Sequence, residues 1–237
     1  HTIQVEREGA LEKYTAEYFL IAAGSLPNRP DNFPIDDHLV YDSDSVLNMD
    51  RIPKNLTVIG GGIIGCEYAT IFAALGIPVT LVESRSRLLS FVDGEIAERF
   101  HTHLVNLGMT IMLNEEYDHI EKGNTSATVY LKSGKNFTAE KVLVAAGRYG
   151  NTKKLGLEKL KITPDAKGHL AVNLQFQTSV PNIYAAGDVI GFPSLASTSM
   201  EQARVAMCHA FKLEYKKQVS PFIPLAVYSI PEISYAG

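Results

Sequence analysis

Cysteine is nearly absent: the 237 residues carry two, Cys66 and Cys208. Two thiols so far apart support neither a disulfide framework nor a zinc site, and each is read as a small packing residue. An excess of basic charge is also missing. Lys and Arg number 22 against 26 Asp and Glu, a formal net charge of −4, which argues against a nucleic-acid partner and its basic stripe. No apolar run approaches the ~18 residues of a membrane-crossing helix, so no membrane partner is expected. His1-Thr2-Ile3-Gln4-Val5 reads as strand rather than as the charged head and apolar body of a signal peptide, and the expected compartment is the cytoplasm. Repeats of roughly 20–50 residues are lacking. With 46% hydrophobic residues the chain has the material for a real core.

What is present alternates strand and helix signals. Thr2–Val5, a turn near Gly9 and the apolar run Tyr18–Ala23 predict a hairpin followed by a buried strand ending at Gly24. Pro27, Pro30, Pro34 and Pro53 predict a connecting loop over 25–55. From Leu56 the pattern becomes strand (56–59), helix (63–75) and strand (79–82), a β-α-β unit with parallel strands. Asp93 is placed to cap a helix through Leu107, with Gly108 at its end. Strands are expected over 110–113, 128–131, 142–146 and 182–186, with a turn at Ser133-Gly134 and loop over 148–181. A late helix is expected over 195–211, and a further strand near 226–230.

Between the first strand and helix of the β-α-β unit lies Gly60-Gly61-Gly62-Ile63-Ile64-Gly65, which fits G-x-G-x-x-G. Gly60 permits the tight turn, Gly62 lets a pyrophosphate approach the backbone, and Gly65 lets helix and strand pack closely. The N–H groups opening the helix at Ile63 and Ile64 then face the phosphates. Glu83 ends the second strand 23 residues after Gly60, where a carboxylate holds a ribose 2′-hydroxyl and favours NAD over NADP. Arg85 and Arg87 follow closely and offer a partner for a 2′-phosphate, so use of both nucleotides stays open.

A second signal is Gly187-Asp188 at the end of the Asn182–Ala186 run. A carboxylate at the carboxyl end of a strand accepts hydrogen bonds from a polyol in the crevice, and a helix starting near Leu195 points its positive end there. Alone, Gly-Asp is ordinary turn chemistry.

The order Ala22-Ala23-Gly24-Ser25, then Gly60–Gly65 with Glu67, then Ala145-Ala146-Gly147-Arg148, then Ala185-Ala186-Gly187-Asp188 resembles the two-dinucleotide-binding flavoprotein family. The resemblance implies an α/β fold: a Rossmann-type NAD(P)-binding domain, parallel sheet with helices, plus a partial FAD-binding domain of the glutathione-reductase-like fold. By position, 1–49 would be partial FAD domain and linker, 50–148 the NAD(P) domain, 149–225 the rest of the FAD domain, and 226–237 the start of a dimerisation domain. Gly60, Gly62, Ile63, Ile64, Gly65 and Glu83 would hold the pyridine nucleotide, with Glu67 near its nicotinamide end and Tyr117 and Gly147 lining the pocket. Gly24, Asp188 and Ser194, Leu195, Ala196 and Ser197 would face FAD.

Tyr41–Leu47, Gly65–Ala69, Asn114–Tyr117 and Gly187–Ser197 are similar to the transhydrogenase branch of that family, and Ser197 stands where the disulfide reductases usually have histidine. The resemblance therefore implies Si-specific hydride exchange between NADPH and NAD on FAD, with no side chain of the chain acting as acid or base. A disulfide reductase such as dihydrolipoamide dehydrogenase is the alternative; a non-catalytic NAD sensor would not need Gly187-Asp188. The family's first Gly-rich flavin unit, redox cysteine pair and dimerisation domain have no counterpart in the sequence. The expectation is thus a fragment, inactive and without bound flavin, of a homo-oligomeric enzyme.

Overall fold

The computed structural model describes residues 1–236. In chain order the elements are β1 (Thr2–Arg7), β2 (Ala10–Thr15), β3 (Phe19–Ile21), β4 (Ser25–Pro27), β5 (Val40–Tyr41), β6 (Leu56–Ile59), α1 (Ile63–Ala74), β7 (Val79–Glu83), α2 (Gly94–Asn106) and β8 (Thr110–Leu113). They continue with β9 (Tyr117–Lys122), β10 (Ala127–Leu131), β11 (Asn136–Ala139), β12 (Lys141–Val144), β13 (Arg148–Gly150), β14 (Ile183–Ala185), α3 (Ala196–Ala210), β15 (Leu225–Val227) and β16 (Ile233–Tyr235). Two compact units result, one of residues 27–147 with 224–235, the other of 1–26 with 148–223 and Ala236.

The first unit is built on a five-stranded sheet in the order β5-β12-β6-β7-β8. Every pairing in it is parallel, Leu56 lying opposite Val79 and Lys141 opposite Leu56. Strands β6 and β12 are buried along their whole length, as strands covered on both faces must be. Gly65, Cys66, Ala69, Thr70 and Ala73 are the buried residues of α1, a small-residue stripe that lets the helix pack close. Asp93 caps α2 by accepting the N–H of Glu95 at 2.9 Å. The sequence expectations for β6, α1, β7, α2, β8, β10 and β12 hold to within a few residues.

Three departures have physical reasons. The proline-rich stretch 25–55 is not all loop: Val40 and Tyr41, buried between Pro34 and Pro53, add a parallel edge strand to β12. Residues 27–49 thus fall in the same compact unit as this sheet, whereas the sequence places a boundary at residue 50. Strands β9 and β11 are absent from the sequence expectations. Tyr117-Asp118-His119-Ile120-Glu121-Lys122 carries too little apolar alternation to read as strand, and its order comes from antiparallel pairing with β10. Finally, the strand expected near 226–230 is instead the short β15, paired antiparallel with β16, and the pair brings Leu225, Val227 and Ile233 into the core beside Cys66 and Ala69.

In the second unit β1 and β2 form the expected hairpin, Thr2 pairing with Thr15, and β14 lies parallel to β3 with Ile183 opposite Phe19. Leu157, Ile162, Leu170, Ile183, Ala185 and Val189 form its core. The stretch 148–181, expected as loop, contains β13 and a short 3₁₀ turn at Leu157–Leu160.

Candidate functional site

The Gly60–Gly65 turn leaves the carboxyl end of β6 and enters α1 directly, and each glycine has a measurable reason. Gly60 adopts φ +112°, and a Cβ there would stand 2.5 Å from the Ala145 carbonyl oxygen. A Cβ on Gly65 would lie 1.8 Å from the Gly60 carbonyl oxygen, so only glycine lets the helix close on the turn. Gly62 is different: a Cβ added there meets no atom within 4 Å. The open side of the turn is therefore at Gly62, the point where α1 begins without any capping side chain. Unsatisfied N–H groups and the positive end of the helix dipole face outward there, which is the physical requirement for holding a phosphate.

Glu83, at the end of β7, is only 3% exposed. Its Oε2 accepts the Gly61 N–H at 2.7 Å, tying the second strand to the glycine turn. Ser84 Oγ donates to Oε1 at 3.2 Å, and the backbone and guanidinium of Arg85 donate to both oxygens. Burial alone would raise this carboxyl, but the hydrogen bonds from Arg85 and Gly61 outweigh it and hold Glu83 below the usual carboxylate range. Arg87 points elsewhere, donating to the Ser90 carbonyl at 2.9 Å. Gly147 takes φ +87° just beyond β12, and its carbonyl accepts the Asn28 N–H at 2.9 Å. Because β12 neighbours β6, this places Gly147 at the same carboxyl edge of the sheet as Gly60.

Two residues expected at this site have other partners. Glu67 Oε1 accepts the Tyr228 N–H at 2.8 Å. Tyr117 stacks on Phe33 with ring centroids 4.0 Å apart and donates its hydroxyl to the Asn32 carbonyl at 2.7 Å. Burial, and then the charge of Asp118, push that hydroxyl up to about 12. Tyr117 is thus half-buried, held by Phe33 and Asn32.

In the second unit Asp188 follows β14, and its Oδ2 accepts the Ser25 hydroxyl at 2.8 Å. Arg148 holds that same serine, Nε to Oγ at 2.8 Å and Nη2 to the carbonyl at 2.9 Å. Gly24, φ +67°, presents its carbonyl to the Asn151 N–H, and no atom lies within 4 Å of a Cβ built on it. Oδ1 of Asp188 accepts nothing from the described residues. At Leu195 α3 starts with no side-chain cap, and Ser194, Ala196 and Ser197 are exposed. A carboxylate with an oxygen to spare and an uncapped helix end fit the polyol and the polar ring edge of a flavin. Ser25 and Arg148 lie within the sequence motifs, which mark no role for either. Their signal was position, each immediately following a glycine at a strand end.

Residues 1–210 match the pyridine nucleotide-disulphide oxidoreductase family. The chain belongs to that family. Soluble pyridine nucleotide transhydrogenase of Enterobacter sp. (strain 638) is 44% identical over all of the chain, and that of Salmonella paratyphi B is 42% identical. The chain spans about half the length of these curated relatives, 51% in each case. Among solved structures, the Cu(II) complex of the HOCl-induced flavoprotein disulfide reductase RclA of Escherichia coli matches 100% of the chain with TM-score 0.93 and 29% identity, over 54% of its own length. LpdA of Mycobacterium tuberculosis matches 99% with TM-score 0.91 and 27% identity, over 51% of its own length. The glutathione-reductase-like α/β fold and its parallel sheet are thereby shown. No helix of the described residues is long and apolar enough to cross a membrane.

Proposed function

We propose that the 27–147 unit binds an adenine dinucleotide on the Gly60–Gly65 turn, and that the flavoprotein containing this chain exchanges hydride between NADPH and NAD on FAD in the cytoplasm. One observation carries the reading: the uncapped start of α1 is open at Gly62 and closed everywhere else by Gly60, Gly61 and Gly65, whose missing side chains leave no room for anything but backbone. The family membership and the names of the 44% and 42% identical relatives support the transfer.

On this reading Gly62, Ile63 and Ile64 present backbone N–H groups to the pyrophosphate, and Gly65 sets the distance between helix and turn. Gly147 borders the same edge. Glu83 braces the turn through Gly61 and, with Arg85, meets the adenosine ribose. In the other unit Asp188, steadied by Ser25, and the Ser194–Ser197 start of α3 would hold FAD, which when bound supplies the hydride relay. Side chains here bind and orient; none is needed as acid or base. Among the described residues there is one Gly-rich strand-to-helix turn, and the reading assigns it to the pyridine nucleotide. Turnover, Si-specificity and assembly into a homo-oligomer are proposed of the whole flavoprotein, the chain spanning about half the length of its curated relatives.

The test has two steps. Calorimetric titration of the 237-residue chain with NADH and NADPH should show uptake of one molecule of each in competition. In the longer protein, stopped-flow reduction of the flavin by NADPH, followed by its reoxidation with a thio-NAD acceptor, should complete the transfer. Flavin reoxidised by a disulfide but not by the nucleotide would give the disulfide-reductase reading instead.

A further inference from the structure

The parallel ladder between β3 and β14 ends where the Ala186 N–H reaches the Ile21 carbonyl at 3.0 Å. The next amide, that of Gly187, is buried beyond the end of β14. Gln202 of α3 supplies its acceptor, the side-chain Oε1 taking the Gly187 N–H at 2.8 Å. Gln202 is itself only 3% exposed, and burying an amide side chain is costly unless it makes such a bond. Only the carbonyl end of that amide can accept, so the Gly187 N–H fixes which way the side chain lies.

Gly187 takes φ +81° and ψ −160°, a combination that essentially only glycine adopts. It opens the 3₁₀ turn Asp188–Ile190, closed by the Ile190 N–H on the Gly187 carbonyl at 2.9 Å. Ser199 and Gln202 stand three residues apart and share one face of α3. A Cβ on Gly187 would lie 3.3 Å from Ser199 Oγ, so the turn rests directly on that face. Gln202 is about 9 Å of helix rise beyond Ala196, where α3 starts without a side-chain cap. A single side chain therefore ties the Asp188 turn to the body of the helix whose open end lies nearby in sequence.

We propose that Gln202 is a positioning residue: by holding the Gly187 amide it keeps the Asp188 carboxylate and the N-terminus of α3 in one fixed relation, so that both address the same flavin. This rests on the FAD reading above. Ser25, backed by Arg148, orients the carboxylate itself, and Gln202 fixes the backbone that carries it.

The test has two readouts. In the 237-residue chain, Gln202→Met keeps the volume, removes the acceptor and should speed hydrogen exchange at the Gly187 amide about tenfold. Gln202→Glu keeps an acceptor oxygen and should restore the protection. In the longer flavoprotein Gln202→Met should raise the FAD dissociation constant about tenfold, and Gln202→Glu should return it to within about threefold of the parent. Ala206→Gly thins the packing of the same helix against Tyr184 without touching the turn; it should lower thermal stability and leave FAD affinity unchanged. Parent-like FAD affinity in Gln202→Met, no recovery in Gln202→Glu, or an equal loss in Ala206→Gly overturns the proposal while the FAD reading stands. An unsubstituted longer protein that holds no FAD overturns both.

Discussion

Arg85 is clasped onto Glu83. Its Nε lies 3.0 Å from Oε1, its Nη2 2.9 Å from Oε2, and its own backbone N–H 2.8 Å from Oε1. With Gly61 on Oε2 as well, the carboxylate expected to receive a ribose is already held by protein donors. A bidentate arginine is a geometric commitment that lysine would not reproduce. On the proposed reading NAD would share Glu83 with this clasp, whereas a 2′-phosphate would offer Arg85 an alternative anion. Replacing Arg85 by Ala should shift the ratio of NADPH to NADH dissociation constants about tenfold toward NADH. An unchanged ratio in paired titrations would remove Arg85 from nucleotide choice.

The same clasp predicts a pH dependence. Glu83 is held below its ordinary value of 4.5, so the folded state binds its proton less readily than the unfolded chain. The stabilisation is present above the ordinary value and is lost as pH falls through the lower folded value. Glu83→Gln should remove about 1–3 kcal/mol at pH 7 and flatten the fall in stability below pH 4.5. Urea midpoints of both proteins between pH 3 and 7 check the sign.

Gly62 and Gly65 should separate binding from folding. Gly65→Ala forces a methyl within 1.8 Å of the Gly60 oxygen and should cost about 3 kcal/mol or more. Gly62→Ala adds a methyl where nothing stands within 4 Å. Its stability should stay within about 0.5 kcal/mol of the parent, yet its NADH affinity should drop because the methyl occupies the phosphate approach. A Gly62→Ala chain that binds NADH normally would contradict the assignment.

Cys66 should be chemically silent. Burial, with a smaller push from the nearby Glu83 charge, raises its thiol to about 12, and a thiol reacts through its thiolate. Alkylation by iodoacetamide at pH 8 should therefore track unfolding rather than reagent concentration. Stoichiometric labelling of Cys66 in the folded chain would disprove this.

Tyr117 should behave as a packing residue. Tyr117→Phe keeps the ring on Phe33 and loses only the bond to Asn32, about 1 kcal/mol of stability. NADH affinity should not move. A loss of affinity without a loss of stability would return Tyr117 to the nucleotide pocket.

The strand–turn–helix–strand unit from Leu56 to Glu83 was readable because its signals are local: an apolar run, glycines at fixed spacing, and a carboxylate at the second strand's end. The edge strand at Val40-Tyr41 was not, since two residues between prolines carry no periodicity and gain their order only from β12. Strand β9 is equally mute, its polar residues ordered by β10 rather than by their own preference. The motif also marked Glu67 and Glu83 without revealing their partners, because Tyr228 lies 161 residues from Glu67 along the chain.

By itself the amino-acid sequence determined the type of each central element and the backbone turn that can receive a phosphate, because period, glycine placement and strand-end charge act over a few neighbouring residues. Only the tertiary structure decided what each carboxylate does. Hydrogen bonds to Glu67, Glu83 and Asp188 come from Tyr228, Arg85 with Gly61, and Ser25. Such partners are chosen by which strands and helices pack side by side, a long-range outcome that no local pattern encodes.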